Sequence, residues 1–171
     1  DYTQALNINH QFAQAYNNRG IIYKEQKQYD SALSDYTQAI KVNPQFAQAY
    51  NNRGNLYKEQ KQYDSALSDY TQAIKVNPQY ADAYHNRGSL YSAQKQYDLA
   101  LSDFNQAIKV NPQYADAYQN RAVSYALTKQ FQKALSDAEK AAELYEKQRN
   151  EAGFQKAQKL LNLIRQAMNE N

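Results

Sequence analysis

The sequence predicts an all-α fold assembled from antiparallel helix pairs. Three observations predict it. The chain repeats itself every 34 residues with no insertion. Apolar residues in both halves of each unit recur at steps of three and four, the spacing of one helical face. An Asn-Pro dipeptide closes the unit at 43–44, 77–78 and 111–112.

The period is strict. Ala13 to Phe46 and Ala47 to Tyr80 differ only at Ile21/Asn55, Ile22/Leu56 and Phe46/Tyr80. Ala81 to Tyr114 follows with more changes, and Ala115 to Gln148 follows loosely. With Ala13, Ala47, Ala81 and Ala115 at position 1, the first apolar set falls at positions 1, 3, 4, 8, 10 and 11. The second falls at 17, 20, 21, 24, 27, 28 and 30. A short polar break, Lys27-Gln28 and its copies, separates them. Asp30, Asp64 and Asp98 follow it, where an acid is expected to cap the second helix and favour its positive end. Proline then stops that helix and disfavours helical geometry in the residue before it. Each unit therefore reads as helix A at about positions 1–14 and helix B at about 18–31, the lengths set by the spacing of turn signals. The expected organisation is a half repeat at 1–12, full repeats at 13–46, 47–80, 81–114 and 115–148, and a closing helix within 149–171, all in one domain.

Composition narrows the function. The net charge is +3, with no Cys, two His and seventeen Tyr. Disulfides and cysteine-ligated metals are excluded. So weak a charge, without a basic stripe, argues against nucleic acid, and no apolar run approaches the roughly 20 residues a membrane span needs. The two His are far apart, no spacing of His and carboxylate fits a metal, and no nucleophile–base pair or glycine-rich phosphate loop is present. We expect no catalysis and no cofactor. Sixteen of the seventeen Tyr fall at positions 4, 11, 17, 24 or 34, and only Tyr145 lies elsewhere. They are expected to be core and inter-repeat rings, not platforms for stacked bases.

The units resemble the tetratricopeptide repeat family. Its pattern is aromatic at 4, glycine at 8, tyrosine at 11, alanine at 20, aromatic at 24, alanine at 27 and proline at 32. The second unit supplies Tyr50, Gly54, Tyr57, Ala66, Tyr70, Ala73 and Pro78. The first supplies Tyr16, Gly20, Tyr23, Ala32, Tyr36, Ala39 and Pro44, and the third Tyr84, Gly88, Tyr91, Ala100, Phe104, Ala107 and Pro112. The resemblance covers about residues 1–148 and implies a right-handed superhelical solenoid with A helices lining a concave groove.

The two ends differ from the middle. The fourth unit has Ala122, Ala138 and Glu146 where glycine, aromatic and proline are expected, so its helix B is expected to run on. Phe154, Ala157, Leu161, Ile164 and Met168 then form one stripe, widened by Leu160, Leu163 and Ala167, as in a capping helix. At the front, residues 1–9 match only the last third of a unit, and His10 replaces proline. This suggests a segment of a longer protein, with a partly exposed apolar face available for self-association. Cytoplasmic location is expected.

Two polar rows recur in every full repeat. Arg19, Arg53, Arg87 and Arg121 hold position 7, and Asp35, Asp69, Asp103 and Asp137 hold position 23. They are expected to form structural ion pairs within or between units. Asn18, Asn52, Asn86 and Asn120 hold position 6 on the face of helix A opposite the core. An amide both donates and accepts, which suits a peptide backbone. The row resembles the asparagine ladder of the O-linked N-acetylglucosamine transferase repeats. Around it lie Asn17, Asn51, His85 and Gln119 at position 5, Gln48 and Asp82 at position 2, and Asn55 at position 9. The lysines and arginine of the carboxylate-gripping co-chaperone repeats are missing from these positions. Asp82 and Asp116 favour a neutral or basic peptide instead. The leading expectation is thus a scaffold binding an extended peptide. A structural spacer or self-associating segment is the alternative, and RNA binding ranks below both.

Overall fold

The computed structural model describes residues 12–170. The expected half repeat and its self-association surface lie outside the described residues, apart from Phe12. Every regular element among the described residues is an α-helix: α1 (Ala13–Glu25), α2 (Tyr29–Val42), α3 (Ala47–Glu59), α4 (Tyr63–Val76), α5 (Ala81–Ala93), α6 (Tyr97–Val110), α7 (Ala115–Leu127), α8 (Phe131–Lys147) and α9 (Glu151–Asn169). The chain divides into two compact units, one ending at Ala83 and the next beginning at Tyr84. In the first, α1 packs on α2, α2 on α3 and α3 on α4. In the second, α6 packs on α7, α7 on α8 and α8 on α9, and α9 also reaches α7.

The turn within each pair is a helix stop closed by lysine. After α1 the chain turns at Lys27, with φ of 59°. Gln28 N–H then donates to Tyr23 O at 2.8 Å, and Lys27 N–H to Lys24 O at 2.9 Å. These are the two bonds of a Schellman motif, whose left-handed position favours glycine. Lys61, Lys95 and Lys129 repeat the conformation at 61°, 61° and 60°, and Arg149 adopts it before α9 at 56°. The second helix starts one residue earlier than expected. Gln28, Gln62 and Gln96 are its N-caps, without a side-chain cap bond. Asp30, Asp64 and Asp98 are therefore not caps. They sit inside the first turn, where they still complement the helix dipole.

The turn between pairs is built by Asn-Pro. Asn43, Asn77 and Asn111 are extended, as a residue before proline should be. Each side chain accepts the backbone N–H two residues on, at 3.0 Å.

Close approach of the paired helices depends on glycine. A Cβ on Gly20 would lie 2.7 Å from the Tyr36 ring, one on Gly54 2.8 Å from Tyr70, and one on Gly88 3.0 Å from Phe104. All three rings are buried. In the fourth repeat both partners change together, to the fully buried Ala122 and Ala138. The aromatic contact moves on to Tyr145, whose ring lies where a Cβ of Gly153 would be. This places Tyr145, the one tyrosine off the repeat pattern, in the core with Ala157, Leu161 and Ile164. Phe154, Leu160 and Met168 flank that cluster. Leu163, expected to widen the α9 stripe, is exposed instead.

The tyrosines are less uniform than their positions predict. Tyr36 and Tyr70 are core, those at positions 4 and 11 are half-buried, and Tyr29 and Tyr63 are exposed. Tyr97 and Phe131, at the same position 17, are half-buried, and Phe131 packs on the core of the last repeat. Position 10 also varies. Leu56 is fully buried among Ala32, Tyr36, Ile21, Tyr23 and Leu33 of the preceding repeat. Ile22, one repeat earlier, is exposed.

A left-handed lysine costs about 1 kcal/mol that glycine would not incur, partly offset by the greater unfolded-state entropy of glycine. Lys61→Gly should therefore raise unfolding stability by about 0.5 kcal/mol in urea titration, with an unchanged helical spectrum.

Candidate functional site

The side chains of the A helices divide into two sets. The first ties helix A to helix B. Arg53 donates from Nε and Nη2 to the two carboxylate oxygens of Asp69, both at 2.8 Å. Arg19 pairs in the same way with Asp35 at 2.7 and 2.8 Å, Arg87 with Asp103 at 2.8 Å, and Arg121 with Asp137 at 2.6 and 2.7 Å. Every pair lies within one repeat, sixteen residues apart. The guanidinium is also bracketed by rings one turn away on either side. Arg53 stands 5.9 Å from the centroids of both Tyr50 and Tyr57, within cation–π range. Hydrogen bonding to Asp69 raises the Arg53 guanidinium above its ordinary value against the opposing effect of burial. The remaining nitrogen reaches the previous repeat. Arg53 Nη1 donates to Thr37 at 3.2 Å, and Arg121 Nη1 to Asn105 at 2.6 Å. These arginines face helix B, and Arg53 and Arg121 also tie their repeats to the one before.

The second set is the asparagine row. Asn18, Asn52, Asn86 and Asn120 are half-buried. In the first unit Asn52 Nδ2 donates to Asn17 Oδ1 at 2.9 Å, and Gln14 Nε2 donates to Asn18 Oδ1 at 2.9 Å. In the second unit Asn120 Nδ2 donates to His85 Nε2 at 2.9 Å and to Ser89 Oγ at 3.2 Å. Position 6 of one repeat thus bonds position 5 of the repeat before it. Because Asn120 can only donate there, His85 Nε2 accepts and the proton of the neutral ring is on Nδ1, 3.2 Å from the Tyr114 hydroxyl oxygen.

Position 5 is consequently not an open groove position, as the sequence implied. Asn17 and Asn51 are buried, His85 and Gln119 half-buried. Asn17 and His85 meet the row of amides, and Asn51 and His85 meet the tyrosine at position 34. Tyr80 is hydrogen-bonded to Asn51, and Tyr114 to His85. Asn55, also expected in the groove, accepts from the Tyr70 hydroxyl at 2.8 Å. Burial pushes the Tyr36 phenol up to about 12 with help from Glu59 and Asp35, and Ile21 offers no acceptor where Asn55 does. Asp116 accepts from the hydroxyl of Tyr145. Gln48 and Asp82 at position 2 remain exposed. The inter-repeat role expected of the tyrosines at position 34 includes a hydrogen bond to position 5, and Phe46/Tyr80 is one of only three differences between the two most similar repeats.

That difference has a cost. Asn17 is fully buried and its Nδ2 has no partner, because Phe46 lacks the hydroxyl that Tyr80 offers Asn51. Gln119 Oε1 is likewise buried without a partner. No group of three His, Cys, Asp or Glu able to hold a metal occurs among the described residues, and none of the described helices is long and apolar enough to cross a membrane.

Comparison with known proteins agrees with this architecture. Residues 13–46, 47–80 and 81–114 each match the family described as Tetratricopeptide repeat, and residues 104–136 match a second family of the same description. The chain belongs to the tetratricopeptide repeat family. No curated protein matched it. Among solved structures it is similar to MamA, at 23% identity and TM-score 0.75, covering 86% of each chain. It is also similar to the first repeat domain of Spaghetti (RPAP3) bound to an HSP90 peptide, SRMEEVD, at 30% identity and TM-score 0.67, covering 73% of this chain and 94% of that one. A third similar structure is the repeat domain of Arabidopsis OM64, at 27% identity and TM-score 0.63, covering 67% and 94%. The repeat fold is that of a protein-interaction scaffold.

A buried unpaired amide costs about 1–3 kcal/mol. Phe46→Tyr should give Asn17 its missing acceptor and raise stability by about 1 kcal/mol in thermal or urea unfolding. A neutral or destabilising result would mean that the Asn17 amide is satisfied in some other way.

Proposed function

We propose that the chain binds an extended segment of another protein along the face carrying the asparagine row, and that it performs no catalysis and needs no cofactor. The observation that carries this reading is the fixed orientation of the row. Asn52 is pinned from the side by Asn17, and Asn120 by His85 and Ser89. Side chains held in place by the scaffold bind with less entropy lost. Among the described residues Asn52 Oδ1 accepts no hydrogen bond, which leaves it for a backbone N–H. The similar Spaghetti domain is bound to a peptide, which supports peptide binding by this fold. The lysine and arginine set of the co-chaperone repeats is absent here, so an acidic chain end is not the proposed ligand.

A spacer is the second reading. It is favoured by the same bonds, since a row that joins repeats has a structural reason to recur. The two readings separate on the variant Asn52→Ala/Asn86→Ala. Stability should fall by about 1 kcal/mol in either case, because the Asn52–Asn17 bond between repeats is lost. A peptide binder should retain members of a random nonapeptide library at about micromolar affinity and lose at least about tenfold in the variant, measured well below its melting temperature. A spacer retains no peptide before or after the substitution.

A further inference from the structure

The first unit contains two clefts that repeat each other 34 residues apart. One is lined by Phe12, Gln14, Asn43 and Phe46. The other, of about 490 Å³, is lined by Phe46, Gln48, Asn77, Tyr80 and Asp82. Each lies where an Asn-Pro turn leads into an A helix, so position 34 supplies aromatic walls and position 2 supplies a polar rim. The two differ in charge. The first has no ionisable residue in its lining, whereas the second has the carboxylate of Asp82, exposed in the first turn of α5.

Two aromatic rings, amide oxygens and one carboxylate around an open cleft suit a cation. Ring faces attract it and the carboxylate pairs with it. Burial, then the neighbouring Asp82, push the Tyr80 phenol up to about 12. The Tyr80 ring and the Asp82 carboxylate line the same cleft. We infer that this cleft takes the lysine or arginine side chain of a bound peptide and selects for a basic segment. The inference rests on the peptide-binding reading above and adds the class of peptide.

The test uses four pools of labelled nonapeptides, randomised except for a central Arg, Lys, Gln or Glu, titrated by fluorescence anisotropy. The Arg and Lys pools should bind the unmodified chain at least about tenfold more tightly than the Gln pool, with the Glu pool weakest. Asp82→Asn should bring the Arg and Gln pools within about threefold of each other by weakening only the cationic pools. Asp64→Asn, the same charge change on a distant exposed turn, should leave the preference intact, and thermal melts of both variants check that the fold is retained. Equal binding of the Arg and Gln pools would overturn the inference while leaving the peptide-binding face standing. So would a preference that survives Asp82→Asn, or one lost equally in Asp64→Asn. If no pool binds, both readings fall.

Discussion

The interaction on which the stack depends is the arginine at position 7. It lies on the side of helix A that faces helix B, one turn from a tyrosine on either side. Its fork meets a carboxylate with no room for water between them: the Asp69 side chain is only 7% exposed and that of Arg53 17%. A buried carboxylate without its partner is expensive, while the intact pair contributes little beyond what an apolar pair of equal volume would. Such a pair sets geometry more than it adds stability. It fixes how helix A lies on helix B, and Arg53 and Arg121 also reach a side chain of the preceding repeat. The glycines beneath Tyr36, Tyr70 and Phe104 permit the close approach that the ion pair then orients.

This constraint determines what the opposite face can do. With the arginine, the rings and the small residues turned inward, the outer face of helix A is left with uncharged amides and a few exposed side chains. The amides are not loose. Asn52 and Asn120 lean on the repeat before them, and at position 34 Tyr80 and Tyr114 bond the position-5 side chains Asn51 and His85. Binding residues and stacking residues are therefore not separate classes here. Substituting the row weakens the array as well as any ligand contact, so stability must be read alongside affinity. Charge enters this face at position 2 through Asp82 and Asp116, and Asp82 lines a cleft with the rings of Phe46 and Tyr80.

Much of this was legible in the sequence because it is periodic. The helix pairs, the glycine–aromatic approach, the arginine and aspartate rows and the closing helix all follow from spacing. What was not legible has particular physical causes. The helix stop uses lysine in a conformation that usually favours glycine, so Lys27, Lys61, Lys95 and Lys129 gave no residue-type signal and the N-cap was placed on the aspartates. Near-identical repeats also conceal which copy pairs with which. Asn52 bonds Asn17, in the previous repeat, and no count along a single helix shows this. Position 5 was assigned to the groove on helical angle alone, whereas the neighbouring repeat covers it. Leu56 is buried by Ala32, Tyr36 and their neighbours in the preceding repeat and not by its own helix, which no single-helix pattern shows.

The role of the arginine is tested most directly by a double-mutant cycle on Arg53→Ala and Asp69→Ala, read by urea unfolding. A pair that positions the helices from a nearly dry site should cost about 3 kcal/mol for either single substitution, and the double variant should be well short of the sum, with a coupling of about 2 kcal/mol. Single costs below about 0.5 kcal/mol that simply add would mark an ordinary surface ion pair. That result would contradict the claim that this contact sets the packing of the repeats.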